Sequence, residues 1–189
     1  MSSVQPATSA VAPRLSVRLL RMALVLGGVA LLLSMSWGGY RLWNGEPYPE
    51  VDPNVVAMRL REEAERVEED LDGRSRFEAH NVDTGACYYR GLRSVAHIDE
   101  ARQDVRSFGL DWSTTDVPRT TARASQERAR GRLSEQGWKL TSENISDMGF
   151  RFEHPGTGDK VDVDWYEPTG TLAVRIHAPC GKVPDGFDE

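Results

Sequence analysis

Residues 160–177 read KVDVDWYEPTGTLAVRIH, and their alternation decides the fold. Val161, Val163 and Trp165 occupy every second position, as do Leu172, Val174 and Ile176, with EPTG as the turn between the two sets. Side chains on a strand point alternately to opposite faces, so each set lines one face. If Tyr166 faces Thr171 across the turn, then Trp165 meets Leu172, Val163 meets Val174 and Val161 meets Ile176. A slip of one residue would put Asp162 or Asp164 opposite the core. The same reasoning on GFRFEH (149–154), joined to residue 160 through PGTG, pairs Phe152 with Val161 and Phe150 with Val163. The outward faces then match in charge: Arg151 lies opposite Asp162, Asp162 opposite Arg175, and Glu153 opposite Lys160. With GWKLTS (137–142) in front, the prediction is a four-stranded antiparallel meander with one apolar face.

Helices must cover that face. Asp52 and Pro53 supply an N-cap and a first-turn proline, and Val56, Leu60, Ala64, Val67 and Leu71 follow at helical spacing, with Gly73 as the stop. The opposite side carries Glu62, Glu63, Glu65, Glu68, Glu69 and Asp70 with arginines interleaved, which reads as a solvated face. GACYYRGL (85–92) has strand character. Ile98, Ala101, Val105 and Phe108 predict a second helix from about His97, ended by Gly109, with LDW as a short strand. A third helix is predicted from Pro118 to Gln136 with Gly137 as its stop, and its inward face is limited to Ala122, Ser125, Ala129 and Leu133. The fold class is therefore α+β, a C-terminal four-stranded antiparallel meander with helices packed on one face, preceded by one transmembrane helix.

The transmembrane expectation comes from 19 consecutive uncharged residues between Arg21 and Arg41, close to the ~20 that span a bilayer. Arg14, Arg18 and Arg21 precede them and orient the N-terminus to the cytoplasm, with Trp37, Tyr40 and Trp43 at the outer interface. A cleaved signal peptide is the rival, with Ser34 and Ser36 as small cleavage-site residues. The uncleaved anchor is adopted because the apolar stretch is long for a signal core. The organisation is thus residues 1–21 a disordered basic cytoplasmic tail, 22–43 the anchor, 44–53 a proline-bearing spacer, and 54–189 an extracytoplasmic domain. The localisation is the cell membrane, single-pass, with the C-terminal domain extracellular.

All 29 acidic residues lie at or after Glu46, while four of the 23 basic residues precede it, so the later part carries 19 basic against 29 acidic residues. That balance argues against a nucleic-acid surface. Cys87 and Cys180, the two cysteines of the chain, predict a disulfide in an exported domain. Neither has a second cysteine at zinc-site spacing, and His80, His97, His154 and His177 are scattered, so no metal or cofactor is expected. PGTGD joins strand to strand and lacks the helix a phosphate loop needs. Adjacent Tyr88 and Tyr89 must face opposite sides of a strand, which makes Tyr88, Tyr89 and Arg90 the candidate interaction surface.

With its apolar segment and spacer, the CYY strand, a GW strand after an Ala/Arg helix and a terminal APCG, the chain resembles the small uncharacterised single-span envelope proteins of GC-rich Gram-positive bacteria. The resemblance implies an envelope location and brings no catalytic residues. The functional expectation is a membrane-tethered, non-catalytic binding or protein-interaction domain, with an envelope protein or wall component as partner. The alternative is an envelope hydrolase, for which Asp162, Asp164 and His177 are the group the predicted register brings nearest together.

Overall fold

A computed structural model describes residues 14–71, 81–143 and 148–187. The expectations for residues 1–13, Gly73 and His80 fall outside the described residues. The chain divides into two compact units. One comprises the helix α1 (Arg14–Asn44), the residues that follow it to Glu46, and Arg90–Ala96, which contains the one-turn helix α3 (Arg93–Ala96). Gly45 and Gly91, at φ +70° and +62°, let two backbone segments meet where a Cβ on either would collide with main-chain atoms of the other. The Leu92 amide donates to the Leu42 carbonyl at 3.1 Å in the same place.

The transmembrane anchor expected at 22–43, and the single-pass localisation built on it, are corrected: among the described residues no helix is long and apolar enough to cross a membrane. The described stretch Leu32–Arg41 of α1 carries two serines, two glycines and an arginine, whereas a span needs about 20 predominantly apolar residues.

The second unit comprises the rest of the described chain and is an α+β domain. Its elements are α2 (Pro53–Asp70), β1 (Asp83–Tyr88), β2 (Ala101–Thr114), α4 (Arg119–Glu135), β3 (Lys139–Glu143), β4 (Met148–Glu153), β5 (Lys160–Tyr166) and β6 (Thr171–Lys182). The strands form one antiparallel sheet in the order β1-β2-β6-β5-β4-β3. The register read from the sequence holds: Trp165 pairs with Leu172, Val163 with Val174, Val161 with Ile176, Phe152 with Val161, and Phe150 with Val163. The turn at residues 167–170 closes through Gly170 in the left-handed region at φ +58°.

The sheet has six strands rather than four because residues 101–114 are a strand, not a helix followed by a short strand. Val105 and Phe108 are both buried, and their spacing of three imitates a helical face. On a strand an odd spacing sends them to opposite faces, and only Phe108 belongs to the main apolar cluster. Gly109, expected as a helix stop, lies in mid-strand opposite His177. The ladders of β2 with β1 and with β6 each shift register once, at Ala86/Cys87 and at Arg106/Phe108. Near those bulges Cys87 and Cys180 form a disulfide with Cα atoms 6.1 Å apart. Strands two places apart in a regular sheet would stand roughly 9.5 Å apart, so the bulges are what let the bond form.

Both long helices of this unit cover one face of the sheet. In α2, the Asp52 side chain accepts from the Asn54 amide at 2.9 Å, and Val56, Leu60, Ala64 and Val67 point inward. In α4, Ala122, Ser125, Ala129 and Leu133 are buried as expected, together with Gln126, whose Nε2 donates to the Met148 carbonyl at 3.0 Å. Gly137 follows at φ +83°. Pro49–Val51, expected to be spacer, runs beside the end of β6 and exchanges backbone hydrogen bonds with Lys182 at 2.7 and 2.9 Å.

Candidate functional site

A cleft of about 280 Å³, lined by two buried carboxylates, lies between α2, the α4–β3 connection and the β4–β5 turn. Helix α2 presents Arg59, Glu63 and Arg66 at spacings of four and three, hence on one side, with Leu60 beside them. The α4–β3 connection brings Gln136 and Trp138, the turn brings His154, Thr157 and Asp159, and Ile176 of β6 reaches the lining from the sheet. Leu60 and Ile176 are 1% and 0% exposed and make an apolar floor.

The turn is rigid for local reasons. The His154 amide donates to the Asp159 carbonyl, and the Gly158 amide to the His154 carbonyl, each at 2.8 Å. Gly158 supplies φ +73°. His154 Nδ1 accepts from the amides of Gly156 and Thr157 at 3.3 and 3.2 Å. An acceptor at Nδ1 leaves the proton of the neutral ring on Nε2. The Trp138 ring meets the His154 ring edge to face at 5.1 Å.

Two buried carboxylates organise the cleft. Asp159, 3% exposed, accepts both arms of the Arg59 fork, from Nε at 2.6 Å and Nη2 at 2.9 Å, and the Thr157 hydroxyl at 2.8 Å. Glu63, 5% exposed, accepts from Arg66 Nη1 at 3.0 Å and from Arg132 Nη1 at 2.8 Å. Arg132 also donates through Nε to Asp70 at 2.6 Å and through Nη1 to the Gln136 side-chain oxygen at 2.9 Å. Burial acts to lower the Arg132 pKa, but hydrogen bonds to Asp70 and Glu63 outweigh it and hold the guanidinium above its ordinary value. The α2 acids were expected to be a solvated face. Glu63 and Asp70 instead clasp α4 through Arg132, a partner 69 residues from Glu63 that no local spacing reveals.

The sequence-predicted surface is divided between the two units. Tyr88 is half-exposed, and its carbonyl accepts from the Tyr48 hydroxyl at 2.6 Å. Tyr89 stacks on His97 with ring centroids 4.3 Å apart, and Arg102 lies over both the Tyr48 and Tyr89 rings at 5.6 and 5.7 Å. The hydrogen bond from Arg102 holds Asp104 below the usual carboxylate range, against the opposing effect of burial. Arg90 belongs to the first unit, where its Nη1 donates to the Glu46 carbonyl at 3.3 Å.

The three residues considered for hydrolysis share the helix-free face of the sheet without converging. Asp162 is 2% exposed and takes the full fork of Arg151 at 2.5 and 2.9 Å. Asp164 pairs with Ala173, two register positions beyond, and lines a groove of about 170 Å³ that His177 does not line. His177 stands opposite Lys160 with its buried Nδ1 unpartnered. Among the described residues no group of three or more His, Cys, Asp or Glu is placed to hold a metal ion. No protein family, curated protein or solved structure matches this chain.

Proposed function

We propose that this protein is a non-catalytic binding domain that holds a small ligand in the cleft between α2 and the β4–β5 turn. One observation carries the reading: both carboxylates of the cleft are saturated by arginine and hydroxyl donors, leaving an apolar floor and an aromatic wall in a stiff frame. A carboxylate with its lone pairs engaged is a poor general base, whereas an apolar pocket with a few fixed polar groups is suited to binding. Titration of the full-length chain with a fragment library, followed by 1H–15N NMR, tests it. Perturbation centred on the Trp138 indole and the amides of Gly156–Asp159 is the expected result. Turnover of a hydrolase substrate that depends on Asp162, Asp164 or His177 would overturn it.

A second reading keeps Tyr88 and Tyr89 as a protein-contact surface. It is favoured by the 50% exposure of Tyr88 beside an arginine stacked on two further tyrosine rings, an aromatic and arginine composition typical of interface anchors. Tyr88→Ala separates the two, because it lies outside the cleft and should leave fragment binding unchanged.

A further inference from the structure

We infer that the ligand of the cleft is a compact organic acid, a carboxylate borne on a flat apolar body. The inference rests on the binding reading above and adds the chemistry of the ligand. It comes from sorting the polar groups of the lining into those already engaged and those left over. The acceptors are engaged. Asp159 takes the Arg59 fork and the Thr157 hydroxyl, Glu63 takes two arginines, and the Gln136 side-chain oxygen takes Arg132. The groups left over, among the described residues, are donors. Arg59 uses Nε and Nη2 on Asp159 and keeps Nη1. Arg66 uses its two terminal nitrogens on Glu63 and Glu62 and keeps Nε. The Gln136 amide nitrogen, the Trp138 indole N–H and His154 Nε2 are unspent as well.

A ligand that completes such a site brings acceptors and few donors. A carboxylate is the acceptor-only group that matches an arginine edge best, and hydrogen bonds to it are charge-assisted. Arg59, Arg66, Glu63 and Asp159 together leave the lining without net charge, so the preference is for acceptors in fixed directions rather than for any anion nearby. Leu60, Ile176 and the face of Trp138 then select what carries the acid. A volume of about 280 Å³ lies just below the ~300–1,000 Å³ found for ligand pockets, which suits a small ligand of one ring system.

The matched probes are 2-naphthoate and 2-naphthamide, which share a shape and differ in charge and donors. Binding to the full-length chain is measured by NMR titration, with the Trp138 indole resonance reporting the cleft. Naphthoate is expected to bind about tenfold more tightly than naphthamide, the difference between charge-assisted and neutral hydrogen bonds. Arg66→Gln should weaken naphthoate more than naphthamide and so remove most of that preference. This variant keeps the fold, because Glu63 retains Arg132. Acetyl-Ala-Ala-Phe with a free or an amidated C-terminus distinguishes the source. Tighter binding of the free tripeptide than of naphthoate supports the inference with a polypeptide C-terminus as the acid, and the reverse order supports it with a free organic acid. Equal binding of naphthoate and naphthamide in the cleft overturns the inference while sparing the binding reading. Failure of every probe to move the Trp138 and Gly156–Asp159 resonances overturns both.

Discussion

Asp159 shows how single residues hold this domain in one arrangement. An ionised carboxylate out of water is tolerated when donors replace its hydration, and Asp159 has two from Arg59 and one from Thr157. Arg59→Ala would leave the hydroxyl alone. The expected loss is about 2–3 kcal/mol, below the ~3–5 of a fully buried pair, because the Arg59 side chain is 37% exposed. Urea unfolding should show it as a lower midpoint at unchanged m. Arg66→Ala, by contrast, should cost under about 1 kcal/mol, since Glu63 keeps Arg132. His177 acts through pH. Burial holds its pKa below 6.5, helped by Lys160, Arg151 and Arg175 and opposed by Asp162. The unfolded chain therefore takes up a proton more readily than the folded one just below pH 6.5. Stability from this residue is fully present above that value and is lost as pH falls through the window beneath it. The thermal midpoint should drop between about pH 7.5 and about pH 5.5, and His177→Gln should flatten that dependence. A variant that keeps the whole slope would assign the effect elsewhere. Asp104, whose pKa is lowered by Arg102, loses its contribution at more acid pH and does not confuse the measurement.

The elements differ in how plainly the sequence announces them. β4, β5 and β6 are legible residue by residue because one face is buried and the other carries Arg151, Asp162 and Arg175 in complementary order, so that period and charge agree. Helix α4 is legible because Ala122, Ser125, Ala129 and Leu133 leave one inward face and Gly137 closes it. β2 is not, because Ile98, Ala101, Val105 and Phe108 fall at spacings of three and four that imitate a helical face, and alternate burial sets in only from Phe108 to Ser113. The cleft is not legible either: it depends on Glu63 meeting Arg132 and Arg59 meeting Asp159, contacts 69 and 100 residues apart. The signal the sequence does carry is the PGTGD turn, whose closing aspartate takes the Arg59 fork. Helix α4 permits a clean test. Ala129 is 0% exposed, and its small side chain sets how closely the helix approaches the sheet. Ala129→Leu should cost about 1–3 kcal/mol through overpacking, whereas Ala124→Leu, on the exposed side of the same helix, should stay within about 0.5 kcal/mol. Equal effects at the two positions would mean that α4 does not pack as described.

At the scale of the molecule, the sheet order separates a covalently tied side from a charge-clasped one. Cys87 ties β1, an edge strand that pairs with β2 alone, to β6. The cleft lies on the other side of β6, against the β4–β5 turn and the start of β3. The bond spans a sequence separation of 93 residues, and on the chain-entropy account closing a loop of that size removes roughly 4.6 kcal/mol of unfolded-state freedom. Replacing both cysteines with alanine should therefore lower stability by up to about that amount. Most of this acts through the unfolded chain, yet the native state should respond locally too. Without the bond, β1 depends on a single ladder interrupted by a bulge at Ala86/Cys87. Its amides should exchange faster with solvent, while those of β4 and β5, each paired on both sides, keep their protection. Below the global transition, reduction with dithiothreitol should leave the Trp138 indole resonance and the Arg59–Asp159 contact in place, because no residue of the cleft belongs to β1 or β2. Loss of the cleft resonances together with those of β1 would show instead that the bond stabilises the whole sheet as one cooperative unit.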